Sequence, residues 1–346
     1  GLVPDVATEG ARRVFGEYHE TNLITKGVVG FKLDECDDQP LQTEPWSWPH
    51  QAMFPSGMDG EAMHALLPGM YMDLLAEKYR AHNLRTFGQV RASWGAAAPR
   101  PFVLYSDHYD HREYVRALIT SGYCGLLWEP ELRDCATLGD MYRRLYTAVF
   151  SAQTVVNCWY MKNPPWFQFD REKNDRGECM PQYEAARDTV RYILEWRMKL
   201  VPYFYSAFIA YRNECTPPVR ALPLDFPDDT KTYGIEDEYM AGPSLLIAPM
   251  FGEETARKVY LPKGGWYDFW TRQRFEGGAE IETQQPIERI PVYVREGSLL
   301  PLAAPVQSIA QDTVFALDML AFGATVTPVT LYEDDGITLD FEKGAQ

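Results

Sequence analysis

Apolar residues recur at helical spacing from Thr8 to about Ile24 (Ala11, Val14, Phe15, Tyr18), with Thr8 placed as a cap and Glu9 directly behind it, so the pattern predicts a helix. Gly27 breaks that pattern. The following run, Val28-Val29-Gly30-Phe31-Lys32-Leu33, reads as a short strand that delivers Asp34, Glu35, Asp37 and Asp38 at its C-terminal end. A loop rich in Pro and Trp over residues 45–55 leads into a second helix over 59–82 and a strand over 85–91. The alternation continues with strand 101–106, helix 112–120, strand 122–128, helix 137–150, strand 154–159 and a long helix over 183–213.

Strands alternating with helices predict an α/β fold with a parallel sheet and crossover helices. Five such strands with polar or acidic C-terminal ends suit part of a (β/α)8 TIM barrel, whose active site is built from those ends. A doubly wound sheet is the rival, but Gly95-Ala96-Ala97-Ala98 lacks the spacing of its Gly-rich phosphate turn. After Thr216-Pro217-Pro218 the texture changes to short β-like runs over 244–249, 258–261, 290–295 and 298–300, which predict an all-β sandwich domain. A further β-rich piece, from about residue 312, carries Leu331-Tyr332-Glu333-Asp334-Asp335-Gly336 and reads as a domain cut short. The expected domains are therefore the second half of a barrel over 1–215, a proximal β-sandwich over 216–306, and the start of a distal β-domain over 307–346.

The 346 residues, 46% of them hydrophobic and 14% aromatic, suffice for a large buried core. With 33 basic against 49 acidic residues the net charge is −16, which repels nucleic acid and anionic membranes, so neither is an expected partner. No apolar run approaches the roughly 20 residues of a membrane span, and no basic-then-apolar leader opens the sequence, so the expectation is a soluble chain. Cysteines 36, 124, 135, 158, 179 and 215 form no C-x-x-C pair and no ligand spacing, so structural metal and other cofactors are not expected. Disulfides and compartment stay open, and the sequence is compatible with a homo-oligomer.

An acidic cluster at a strand's C-terminal end costs repulsion that folding alone does not require, and Asp34 to Asp38 therefore invites a chemical reading beside that of a solvated turn. A calcium loop lacks its D-x-[DN]-x-[DN]-G spacing. A second acidic element, Ser106-Asp107-His108-Tyr109-Asp110-His111, follows another strand about seventy residues later. Two carboxyls brought to one barrel face are what glycoside hydrolysis needs, one to attack the anomeric carbon and one to move protons. His108 and His111 as a metal pair are the competing reading, although no H-E-x-x-H and no third ligand accompany them. Trp46, Trp48, Trp94, Tyr105, Tyr109, Trp128, Trp159 and Trp166 crowd the same loops, where aromatic faces serve either a packed barrel or the C–H faces of a sugar.

These motifs resemble glycoside hydrolase family 31, and the likeness runs over nearly the whole chain. Gly27-Val28-Val29-Gly30-Phe31-Lys32-Leu33-Asp34 is similar to the family's nucleophile strand, which implies that Asp34 is the nucleophile, with Asp37 where the family usually has a supporting Glu. Arg91-Ala92-Ser93 followed by Leu104-Tyr105-Ser106-Asp107 resembles the family's Arg-Ser pair and W-S-G-D segment, which implies that Asp107 is the acid/base and that Arg91 contacts the sugar. The segment 121–131 resembles the strand S-G-x-x-x-W-x-x-D, placing Trp128 and Glu131 on the substrate side. Segment 150–157 resembles F-S-P-x-x-R-N-H, placing Asn157 there too, without the final His; Trp159 is a further sugar-side candidate. Leu200-Val201-Pro202-Tyr203-Phe204-Tyr205, Tyr260-Leu261-Pro262 with Trp266-Tyr267-Asp268-Phe269, and the segment 290–298 resemble the family's L-x-P-Y-x-Y helix and first C-terminal β-domain.

The resemblance implies a retaining α-glycosidase acting on an α-galactoside, N-acetyl-α-galactosaminide, α-glucoside or α-xyloside. It also implies that an N-terminal half preceding Gly1 completes the barrel. An α-glucan lyase on the same scaffold, a metal-dependent hydrolase and a non-catalytic carbohydrate-binding protein are the rivals.

Overall fold

The computed structural model describes residues 3–34, 48–91, 95–105, 109–129, 131–133, 135–158 and 161–344. The chain divides into two compact units, Gly1–Ser106 with Glu333–Gln346, and Asp107–Tyr332.

In the first unit, α1 (Glu9–Asn22) starts where the Thr8 side chain accepts a hydrogen bond from the Ala11 N–H, and α2 (Gly60–Ala81) starts where Asp59 accepts from the Ala62 N–H at 2.8 Å. Strands β1 (Gly30–Leu33), β2 (Phe87–Arg91) and β3 (Phe102–Tyr105) form a parallel sheet in that order, with α2 as the crossover between β1 and β2. Val6, Met63, Leu67 and Leu74 form a core against Phe15, Trp48 and Phe54. Gly88 is required by the sheet, because a Cβ there would sit 2.4 Å from the Phe102 ring and 2.6 Å from the Phe31 carbonyl oxygen.

Residues 333–344 close the same unit. The Arg85 N–H donates to the Ile337 carbonyl at 2.8 Å, its Nε to the Thr338 carbonyl at 2.5 Å, and its Nη2 lies 2.8 Å from Asp334. The guanidinium also covers the Phe341 ring at 4.3 Å, while Arg80 grips both carboxylate oxygens of Glu342 at 2.7 and 3.2 Å.

The second unit begins with α3 (His111–Ser121), β4 (Glu131–Leu132), α4 (Leu138–Val149), β5 (Val155–Val156), α5 (Arg171–Asp175), α6 (Tyr183–Lys199) and α7 (Val201–Glu214). Three expectations need correcting here. The strand expected over 122–128 is a 3-10 turn at Gly122–Cys124 closed by Gly125 in the left-handed region (φ 65°), and pairing resumes only with a bridge at Trp128 and then β4. The strand expected over 154–159 shortens to Val155–Val156, paired in parallel with β4. The single helix expected over 183–213 is two, divided at Leu200, because Pro202 has no N–H to continue the hydrogen-bond ladder and suits the first turn of a new helix.

The remaining strands are β6 (Val219–Ala221), β7 (Tyr239–Ala241), β8 (Leu245–Ile247), β9 (Ala256–Leu261), β10 (Gly265–Asp268), β11 (Arg274–Glu276), β12 (Ala279–Gln284), β13 (Val292–Arg295), β14 (Ser298–Ala303) and β15 (Leu317–Phe322). They form an antiparallel sheet ordered β11-β10-β13-β8-β7-β6 and the pairs β12-β9 and β14-β15. Met240, Leu246, Val259, Leu261, Trp266 and Tyr293 pack into its core. Among the described residues no helix is long and apolar enough to cross a membrane. The described cysteines 124, 135, 158, 179 and 215 form no disulfide with one another, and Cys36 lies outside the described residues.

Candidate active site

The register of the first sheet assembles a charged site. Leu33 lies opposite Val90, so Asp34, next along β1, is level with Arg91, and Arg91 in turn lies opposite Tyr105. Arg91 Nη1 donates to Asp34 Oδ1 at 3.2 Å. Lys32, two residues before Asp34 and thus on the same strand face, places Nζ 4.0 Å from Asp34 Oδ2 and 4.2 Å from the centre of the Tyr105 ring. The Asp34 side chain is 46% exposed while that of Arg91 is only 12% exposed, so the carboxylate is open to a ligand while the guanidinium is fixed beside it. Two cations thus flank the carboxylate at the strand's C-terminal end, where opposite charge favours its ionised form.

In the second unit, Asn157 follows β5 and donates through its backbone to the Leu132 carbonyl and through Nδ2 to Glu131 Oε2, both at 2.8 Å. Glu131 and Trp128 are both buried, so the Glu131 carboxylate is held by the Asn157 amide instead of standing in solvent. The segment ahead of α3 is tied to α4. Arg144 Nη1 donates to the Tyr109 carbonyl, Arg144 Nε donates to Asp140 Oδ1 at 2.9 Å, and His111 Nε2 is 2.9 Å from Thr147 Oγ1. Burial, reinforced by Arg144, Arg112 and Arg143, holds the His111 pKa well below its usual value, so its imidazole is neutral near pH 7. Among the described residues no three His, Cys, Asp or Glu side chains converge as metal ligands.

Asp34, Arg91, Trp128, Glu131 and Asn157 thus have described positions, with Asp34 paired to Arg91 and Glu131 to Asn157. Asp37, Asp107, Trp159 and His108 lie outside the described residues. Lys32 was overlooked as a site residue, although strand alternation from Asp34 points to it. Arg144 and Asp140 carry no comparable signal, because their helix gives no hint that it reaches back to a carbonyl 35 residues earlier.

Residues 1–207 match the family model "Glycosyl hydrolases family 31 TIM-barrel domain", and residues 215–300 match "Glycosyl hydrolase family 31 C-terminal domain". The chain belongs to glycoside hydrolase family 31. Its fold is the family 31 TIM-barrel domain, present in part, followed by the C-terminal β-domain. It is similar to an isomaltosyltransferase of Sporosarcina globispora (43% identical over 296 residues, 80% of this chain and 25% of that protein). It is also similar to an alpha-xylosidase of Saccharolobus solfataricus (39% over 151 residues, 43% of this chain and 20% of that protein). This family 31 chain therefore spans a fifth to a quarter of the length of these curated relatives. Among solved structures, a Flavobacterium johnsoniae dextranase shares the fold with a TM-score of 0.81 at 22% identity, over 98% of this chain and 43% of that one. An alpha-xylosidase from Xanthomonas citri does so with a TM-score of 0.78 at 25% identity, over 98% and 38%.

Proposed function

We propose that this chain supplies the catalytic carboxylates of a retaining α-glycosidase. The observation that carries the reading is Asp34 at the end of β1, open on one side and held on the other by Arg91 at 3.2 Å. In the first step Asp34 forms a bond to the anomeric carbon as the glycosidic C–O bond breaks, and Asp107 gives its proton to the departing oxygen. In the second step Asp107 takes a proton from water, the water oxygen bonds to the anomeric carbon, and the Asp34 ester bond breaks to free the carboxylate. Trp128, Glu131, Asn157, Asp37 and Trp159 act on the sugar side, with Arg91 beside the nucleophile. No metal or cofactor is needed for either step.

The relatives' names favour an α-glucoside or α-xyloside over the α-galactoside and N-acetyl-α-galactosaminide alternatives. A second reading draws on the isomaltosyltransferase, which matches over four fifths of this chain. In it a sugar hydroxyl takes the place of water in the second step and the product is a longer saccharide. The test is incubation of the natural-length protein with nitrophenyl α-glucoside, α-xyloside, α-galactoside and N-acetyl-α-galactosaminide, and with isomalto-oligosaccharides, beside its Asp34→Asn variant. Turnover of one α-glycoside that vanishes in Asp34→Asn is expected, and the product tells hydrolysis (free sugar) from transfer (elongated saccharide) and from a lyase (unsaturated sugar). Sugar binding without turnover of any substrate would overturn the assignment.

A further inference from the structure

We propose that Arg143 holds a small monovalent anion of the halide class in the interior of the second unit. Arg143 lies on α4 and is completely buried, and none of its three guanidinium nitrogens has a hydrogen-bond partner among the described residues. Burial lowers its pKa from 12.5, but a guanidinium stays charged near neutral pH. A charge in a protein interior is strongly unfavourable unless a counter-charge meets it.

The carboxylates that could neutralise Arg143 are engaged elsewhere. Gly139, Arg143 and Thr147 stand at i, i+4 and i+8 and so form one stripe of α4. At the start of the stripe Glu253 Oε1 accepts from the Gly139 N–H at 3.0 Å, and the two Glu253 oxygens lie 2.7 and 2.9 Å from where a Cβ on Gly139 would sit. That carboxylate is therefore seated on the first turn of the helix, one turn short of Arg143. Glu254 divides its oxygens between Arg112 Nη2 at 2.8 Å and the Phe251 N–H at 3.1 Å. Asp140 serves Arg144 Nε at 2.9 Å and the Ala136 N–H at 3.1 Å. At the far end of the stripe Thr147 Oγ1 donates to the Arg143 carbonyl at 3.2 Å, so it accepts from His111 Nε2 at 2.9 Å, and that imidazole is neutral. Arg112 and Arg144 thus each have a carboxylate in contact, whereas Glu253, Glu254 and Glu288 act on Arg143 only from a distance.

These surroundings define the occupant. Water would satisfy the N–H groups and leave the charge unbalanced. Complete burial admits only a small species, one positive charge calls for one negative charge, and a guanidinium offers donors without an acceptor, which suits a halide. Tyr146, at i+3 from Arg143, adds a further buried hydroxyl that has no partner among the described residues.

Two measurements on the natural-length protein test the proposal. In crystals equilibrated with sodium bromide, anomalous scattering at the bromine edge should place a bromide in contact with the Arg143 guanidinium. In solution, the melting temperature in about 100 mM sodium chloride should exceed that in sodium gluconate of equal ionic strength by several degrees, because an anion that binds only the folded state stabilises it. In Arg143→Met, which exchanges the charge for an apolar chain, that difference should vanish, while melting in gluconate stays at or above that of the parent. A parent that melts alike in both salts, or density at Arg143 without anomalous signal, would mean ordered water alone and overturn the proposal. An equal chloride increment in the parent and in Arg143→Met would place the anion elsewhere and overturn it too. If Arg143→Met does not fold, the bromide experiment on the parent decides. Neither readout depends on glycoside turnover, so a failure here leaves the reading of Asp34 and Asp107 untouched, and the reverse.

Discussion

Burial alone can decide a side chain's charge, and Glu238 in the β-rich part of the second unit is the clearest instance. Its Oε1 accepts from the Tyr260 N–H at 2.9 Å and lies 3.3 Å from Arg257 Nη2, yet burial pushes its pKa up from 4.5 to about 8. Arg257 does not reverse this, because the same guanidinium nitrogen is shared with Asp237 at 3.0 Å. Between pH 4.5 and about 8 the folded protein keeps a proton that the unfolded chain has released, so this group's contribution to stability declines as pH rises through that window. Glu238→Gln keeps the shape without the titration. Urea unfolding should show it close to the parent at pH 5 and more stable by roughly a few kcal/mol at pH 9, and an equal difference at both pH values would refute the account. At the candidate site, Asp34 was legible because an acidic cluster at a strand end stands out against a β-rich run, whereas Arg91 was named only through the family resemblance. Lys32 is signalled only by strand alternation, which puts it on the same face as Asp34. Arg144 and Asp140 act through backbone carbonyl and amide groups, which no side-chain pattern reports.

Helix limits were read well where a side chain caps the first turn, as at Thr8 and Asp59, and badly where a proline only divides one helix from the next. The segment 122–128 misled for a related reason. Its apolar residues suit a strand, but Gly122 and Gly125 let the chain close two turns, through Gly125 N–H to Gly122 O and Leu126 N–H to Ser121 O, before it reaches the sheet. Parallel pairing of β1, β2 and β3 carries the site, so its weak point is Gly88, where the Phe102 ring and the Phe31 carbonyl leave no room for a Cβ. Gly88→Ala should lower stability by about 1–3 kcal/mol and, by prising apart the strands that hold Asp34 level with Arg91, reduce kcat/KM more than a stability loss of that size explains. A variant that melts early but keeps full activity would show that strand register and site geometry are independent.

At the scale of the whole molecule, residues 333–344 pack with the first 106 residues, and β15 pairs with β14. Pattern reading works on neighbours along the chain, and it has no access to a contact such as Arg80 with Glu342, 262 positions apart. Arg85 centres this clasp with backbone, carboxylate and aromatic contacts, so Arg85→Ala should lower the melting temperature by several degrees and increase protease cleavage within 333–344. An unchanged cleavage pattern would mean that the clasp is held mainly by its other contacts.

That clasp also sets an order of events during synthesis. A ribosome delivers residues 107–332 complete before it has made residue 333, so the second unit can collapse while the first still lacks its closing segment. For the time needed to translate more than two hundred residues, the sheet whose first strand ends at Asp34 belongs to a body that still lacks its closing segment.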